Sequence, residues 1–294
     1  MISVLLEPLS YDFMLRALAV AVIASIVCAL LSCWLVLIGW SLMGDAVSHA
    51  VLPGVVLAYI FGLPFSVGAV IFGFIAVGLI GFVKRSPKVK EDAAIGIVFT
   101  TLFALGLVLI SKTPSQTNLT HIIFGNVLGV SNSELIQVAI IASLVLLILI
   151  AKRRDFTLFA FDKIHAHAIG LSTLLLGGVL LSLLALTVVV ALQVVGVILV
   201  VAMLIIPGVS ARLLTNRFSY MLVIAPVISV LCTITGVWIS YFADTAVGGM
   251  IVLMQGLVFI VVYALNTLRA RGKSRRKRKA ALTNKDSILS PASV

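Results

Sequence analysis

LVLIGWSLMGDAVSHAVLPGVVLAY, Leu35 to Tyr59, decides the fold. By hydropathy it is a membrane-spanning helix, yet it carries a carboxylate, Asp45, and an imidazole, His49, four residues apart. A charge held in hydrocarbon costs from a few to more than about ten kcal/mol, so ionisable residues there are rare, paired and functional. Pro53 and Gly54 then interrupt the same helix.

The surrounding chain supplies the membrane context. Its 294 residues are 62% hydrophobic with mean hydropathy +1.27, and runs of about 18 or more weakly charged residues recur, the length that spans a bilayer. The predicted fold class is all-α, a polytopic integral membrane helical bundle of eight to nine segments over residues 1–268. A basic tail, 269–294, is predicted to lack structure. The net charge of +11 is a topology signal. Lys and Arg gather in Lys84–Lys90, in Lys152–Lys163, at Arg212 and Arg217, and from Arg269 onward; only Arg16 and Lys112 lie elsewhere. That bias places these groups, and the C-terminus, in the cytoplasm. It accounts for the basicity without a nucleic-acid partner, and the tail's charges also attract anionic membrane lipid. Cys28, Cys33 and Cys232 sit in apolar runs and are expected as small core residues. The first residues, MISVLLEPLSYDF, have no basic start and are not expected to be a cleaved signal peptide.

Spans are predicted at about 13–38, 41–61, 65–83, 93–111, 133–151, 171–192, 194–206, 220–242 and 247–268. Trp34 and Trp40 are expected as interfacial aromatics, and Gly68, Gly73, Gly78 and Gly81 as points of close helix approach. Residues 112–132 are too polar to span and form an outer loop with a half-helix at His121–Leu128; Asp155–Gly170 is amphipathic and cytoplasmic. The link at 38–44 has no basic residue to fix its side. At Pro207–Arg217, PGVSARLLTNR, a span is expected to end at Pro-Gly and a short helix to follow, either docking a soluble partner or making an ordinary turn.

Asp45 and His49, at i and i+4, share one helical face. A carboxylate and an imidazole suit Mn, Fe or Zn better than Ca or Mg. Two ligands are half a site. Pro53 has no N–H to offer the carbonyl of His49, and broken helices line ion sites in transporters. The competing reading is a structural pair that fixes helix packing. Against it, Asp45 is the one acid of ten, and His49 the one histidine of four, clearly inside a span. His121, His165 and His167 lie in loops or on the cytoplasmic segment, where solvation explains them. The sequence has no G-x-x-x-x-G-K-[ST]: Gly272-Lys273-Ser274 is preceded by Thr267 where the first glycine belongs. With no H-E-x-x-H and no second intramembrane acid, an intramembrane enzyme is disfavoured.

GWSLMGDAVSHAVLPGV (39–55) resembles the signature of permease subunits of manganese-, iron- and zinc-type metal ABC importers. The likeness continues through EDAAIGIVF (91–99), FGNVLGVS (124–131), FDKIHAHAIGL (161–171), VVGVILVVAMLIIPGVSARLL (194–214) and SYFADTAVGGMIVL (240–253), and is nearest the manganese/iron branch. The resemblance implies a homodimeric permease. It would take metal from an extracytoplasmic binding protein and be driven by two cytoplasmic ATPase subunits, with no bound cofactor. It implies Asp45 and His49 as the metal-contacting pair, with Pro207, Gly208, Ala211, Arg212, Leu213 and Leu214 in the ATPase-docking helix. Gly39-Trp40 departs from it, because many relatives carry basic residues just before the Ser-Leu. Zn²⁺ as cargo stays open, as does a self-sufficient ion-coupled carrier or channel.

Overall fold

The computed structural model describes residues 10–84, 86, 88–113, 129–196 and 200–289. These form twelve helices and, among the described residues, no strand. The helices are α1 (Asp12–Ile38), α2 (Ser41–Ala50), α3 (Leu52–Ile60), α4 (Phe65–Val83), α5 (Glu91–Lys112), α6 (Asn132–Ala151), α7 (Arg153–Phe161), α8 (Lys163–Ala168), α9 (Thr173–Val195), α10 (Val200–Leu214), α11 (Phe218–Ala243) and α12 (Val247–Leu289). The predicted half-helix at His121–Leu128, His121 included, lies outside the described residues.

Eight of these segments are long and apolar enough to cross a membrane, α2 and α3 together counting as one, Leu42–Ile60. Within the described residues α10 covers 15 residues, about 22 Å, short of a hydrocarbon core of about 30 Å, so the described residues hold eight spans and one shorter segment. Burial sorts the spans into layers. Leu42–Ile60 is 72% buried and α6 only 22%, so α2–α3 is central and α6 peripheral; α1 and α9 share the centre. Side chains such as Ile140 and Leu147 on α6 point outward, as lipid requires.

Close approaches set the frame. A Cβ on Gly54 would overlap the carbonyl of Gly68, and the reverse, so α3 and α4 cross backbone to backbone. Gly73 packs on Ala185 of α9, whereas Gly78 and Gly81 meet nothing within 4 Å. The three cysteines are buried and free, as expected of core residues.

Three expectations change. Trp34 and Trp40 are buried inside protein rather than anchored at the lipid interface, because α7 folds back beneath them. The Trp34 ring meets Phe156 (6.3 Å) and Phe218 (5.4 Å) edge-on, and its Nε1 donates to Thr157 Oγ1 at 3.3 Å. The helix carrying Pro207 does not end there. It runs through to Leu214, since Gly208 lets α10 lie against α1 at Ser32 and membrane helices re-satisfy what proline frees. Finally, α12 continues past Arg269 to Leu289, so no break in secondary structure marks the predicted tail. Lys, Arg, Ala and Leu are strong helix formers, and a span already formed removes the cost of nucleation.

Candidate metal site

The site is built on α2. Gly39 closes α1 in the left-handed conformation (φ +87°), and Trp40 leads into α2. Lys84 and Lys163 lie over the Trp40 ring, which places the 38–44 link at the basic end of the bundle. The helical pieces are separated by Val51 alone, whose torsions (φ −77°, ψ −13°) remain helical. The interruption therefore falls at Val51 rather than at Pro53-Gly54. Pro53 sits in the first turn of α3, where its missing N–H costs little. Gly54 serves the crossing with α4. Pro53 still offers nothing to the His49 carbonyl, which shares the Val51 N–H with Val47.

Along α2 nearly everything is buried, and the exposed or half-exposed stripe is Leu42, Asp45 and His49. Asp45 is 36% and His49 19% exposed at the side chain. His49 Nε2 stands 3.3 Å from Asp45 Oδ1, long for a hydrogen bond. A first-row divalent ion about 2.1 Å from each atom would subtend about 104° between them, inside the span from octahedral to tetrahedral geometry. The two side chains therefore already stand at the spacing of adjacent metal ligands. The second ring nitrogen, Nδ1, is buried with no hydrogen-bond partner among the described residues. Ser48 donates its hydroxyl to the main-chain carbonyl of Asp45 at 2.8 Å, not to the carboxylate.

Two residues that the sequence reading missed complete the setting. Phe99 and Phe103, one turn apart on α5, hold the imidazole at centroid distances of 5.4 and 5.1 Å, Phe103 edge-on at 82°. Their own spacing at i and i+4 was the available signal. On the other flank α2 lies close to α10: a Cβ at Gly44 would meet Leu204 Cδ1 at 3.0 Å, a contact that the end of the leucine would have to yield. No third His, Cys, Asp or Glu joins the pair among the described residues, and His165 and His167 stand apart on exposed α8. Among the described residues the pair offers two candidate ligands.

The residues expected to dock an ATPase divide. Pro207, Gly208 and Ala211 are buried, Ala211 among Ala29, Cys33, Met221 and Ala225. Arg212 and Leu214 are exposed and Leu213 half-buried. The first three are packing residues, and the fully exposed positions of α10 lie at its end.

The model of the ABC 3 transport family matches residues 10–266. The chain belongs to that family. Among ABC 3 relatives, the manganese transport system membrane protein MntB of Synechocystis is 52% identical over 257 residues, covering 87% of this chain and 84% of that protein. The chelated iron transport system membrane protein YfeD of Yersinia pestis is 49% identical over 267 residues, 91% of this chain and 90% of that one. A solved structure, PsaBC from Streptococcus pneumoniae in complex with Fab, superposes with a TM-score of 0.82 at 36% identity, covering 90% of this chain and 95% of that chain. The ABC 3 match takes in every helix through α11, and with it Asp45 and His49.

Proposed function

We propose that this ABC 3 chain is the membrane permease subunit of an ATP-driven importer of divalent transition-metal ions, Mn²⁺ and Fe²⁺. The observation that carries the reading is the Asp45–His49 pair, set at ligand spacing on the exposed stripe of an otherwise buried intramembrane helix. Kinship with manganese and chelated-iron transport proteins supports the cargo. Two ligands per chain hold an ion weakly, as passage requires; a complete protein cage would trap it. The rest of the shell comes from water and from a second copy of the chain facing the same stripe. Zn²⁺ is the alternative cargo, since carboxylate and imidazole serve it equally well.

The basic end faces the cytoplasm of a bacterial inner membrane, with the C-terminus inside. ATP is hydrolysed on separate subunits docked there, and an extracytoplasmic binding protein delivers the metal at the other end. The exposed element at the basic end is α8, reached through α7. Asp162 caps it, accepting the N–H groups of Ile164 (3.0 Å) and His165 (2.9 Å). Ile164 stands 84% exposed between Lys163 and His165, and beside it His167 and 170–174 line a cavity of about 290 Å³. Phe161 meets Phe218 at 6.3 Å, which joins this surface to the turn after Arg212, Leu213 and Leu214. Together these form the docking surface, with Pro207, Gly208 and Ala211 holding it from within.

Uptake of radiolabelled Mn²⁺ by cells lacking other importers tests the reading. Asp45→Asn and His49→Ala each abolish uptake while the complex still assembles, and deleting the ATPase does the same. Transport by both variants would make the pair structural. Full-rate transport by the permease reconstituted alone would instead mark a self-sufficient carrier.

A further inference from the structure

Trp40 lies where the basic end of the bundle meets the helix that carries the metal pair. The residue is only 7% exposed. Phe159 of α7 packs edge-on at 6.2 Å. Lys163, opening α8, places Nζ 5.7 Å from the Trp40 ring and 5.3 Å from that of Phe159. Lys84, following α4, places Nζ 5.6 Å from the same indole. On α9, a Cβ at Gly177 would sit 3.4 Å from Phe159 and 3.7 Å from Trp40. The main chain is equally tied: the Trp40 N–H donates to the Leu35 carbonyl at 2.8 Å, and the Trp40 carbonyl accepts the Met43 N–H at 3.0 Å. The residue is thus joined to the end of α1 and to the first turn of α2 at once.

From Trp40, α2 runs unbroken to Asp45 and His49, about 7.5 and 13.5 Å along its axis. A helix confined on all but one stripe moves as a body, so displacement of its first turn is displacement of both ligands. Packed side chains between two elements that move carry coupling, and the warrant is a measured coupling.

We propose that Trp40 is a positioning residue: the ring through which movement of α7–α8 is transmitted to α2, and so to the access of metal to Asp45 and His49. The proposal rests on the reading of α8 as the ATPase-docking element. Lys84 and Lys163 hold the indole by their charge over its face, a contact that an aliphatic side chain cannot make.

The test uses the full complex with its ATPase and binding protein in proteoliposomes, with Mn²⁺ uptake and ATP hydrolysis measured on the same sample. Trp40→Leu keeps hydrolysis within about twofold while uptake per ATP falls by about tenfold or more, and Trp40→Phe restores part of the loss. The double change Lys84→Met and Lys163→Met lowers uptake per ATP by about threefold when Trp40 is present and changes nothing further in the Trp40→Leu chain, the non-additivity expected of one shared contact. Equal effects of the lysine changes in both backgrounds, an unchanged ratio in Trp40→Leu, or uptake and hydrolysis falling in step would each overturn the proposal. Should Trp40→Leu fail to assemble, the lysine pair, at exposed positions, decides it: an unchanged ratio overturns the link. Ile164→Glu separates the two readings. A complex that still assembles with Ile164→Glu removes the docking surface, whereas an unchanged ratio in an assembled Trp40→Leu complex removes the Trp40 link alone.

Discussion

The crossing of α3 and α4 offers the sharpest test of the packing, because two glycines oppose each other there. A Cβ on Gly54 would stand 2.7 Å from the carbonyl carbon of Gly68 and 2.8 Å from Phe72 Cβ. A Cβ on Gly68 would stand 2.6 Å from the carbonyl carbon of Gly54 and 2.9 Å from Ala58 Cβ. Ordinary contact begins at 3.4 Å and the facing carbonyl oxygens lie nearer than the carbonyl carbons, so either methyl parts the helices by more than about 0.7 Å, the difference between 3.4 and 2.7. Backbone cannot rotate aside as a side chain can, which puts the cost at the upper end of overpacking, about 3 kcal/mol. Alanine recovers about 1 kcal/mol over glycine within a helix, so each single change destabilises by about 2 kcal/mol. One separation accommodates both methyls, however. Gly54→Ala with Gly68→Ala therefore costs about 3 kcal/mol and recovers about 2, a net loss of about 1, smaller than that of either single variant. Reversible unfolding of the purified permease in mixed micelles, followed by circular dichroism across an SDS titration, reads these differences. A double variant as unstable as the sum of the singles would refute the shared crossing.

Other consequences are read more simply. Ser131 and Glu134 form a reciprocal cap on α6, Ser131 N–H to Glu134 Oε2 at 2.8 Å and Glu134 N–H to Ser131 Oγ at 3.3 Å, so Ser131→Ala lowers stability by about 1 kcal/mol in the same titration. Phe103→Ala removes the edge-on wall of His49 and leaves the imidazole free to turn; Mn²⁺ uptake falls several-fold while assembly, followed by size-exclusion chromatography, is retained. Gly208→Val drives α10 off α1 and abolishes assembly. Ser32→Ala rescues it only in part, because the Ser32 carbonyl, 2.8 Å from the Cβ position, remains.

Much of the frame is legible in the sequence because a bilayer allows few solutions. The bounds of α4, Phe65–Val83, follow from Gly-Leu-Pro before it and KRSPKVKED after it, and the Asp45–His49 face follows from helical spacing. What escapes is whatever depends on the partner element. A proline announces a break, but in a first turn the break precedes it, at Val51, and inside α10 there is none because the helix needs Gly208 to reach Ser32. Trp34 and Trp40 carry the signature of interfacial anchors, and only the return of α7 beneath them makes them core. Nothing in the run 35–59 points to Phe99 and Phe103, which arrive from α5, about fifty residues on.

A stability measurement on paired substitutions separates a metal pair from a packing pair at Asp45 and His49. A pair kept for structure satisfies its buried atoms, since an unmet buried donor or acceptor costs about 1–3 kcal/mol. Here one nitrogen faces a carboxylate at 3.3 Å and the other has no hydrogen-bond partner among the described residues, within a helix whose surroundings leave it little room to adjust. Removing one member leaves the other poorly placed in an apolar setting, so His49→Leu alone is destabilising. Replacing both, Asp45→Leu with His49→Leu, removes the unmet nitrogen together with the cost of holding a carboxylate there, and exchanges of that kind stabilise by about 1–4 kcal/mol. Asp45 is 36% exposed, so the gain lies near the lower bound, about 1 kcal/mol. The double variant is then more resistant to SDS than the native chain and transports no metal. A double variant less stable than the native chain would mean that the pair contributes to the fold, and Asp45 and His49 would lose their assignment to the metal.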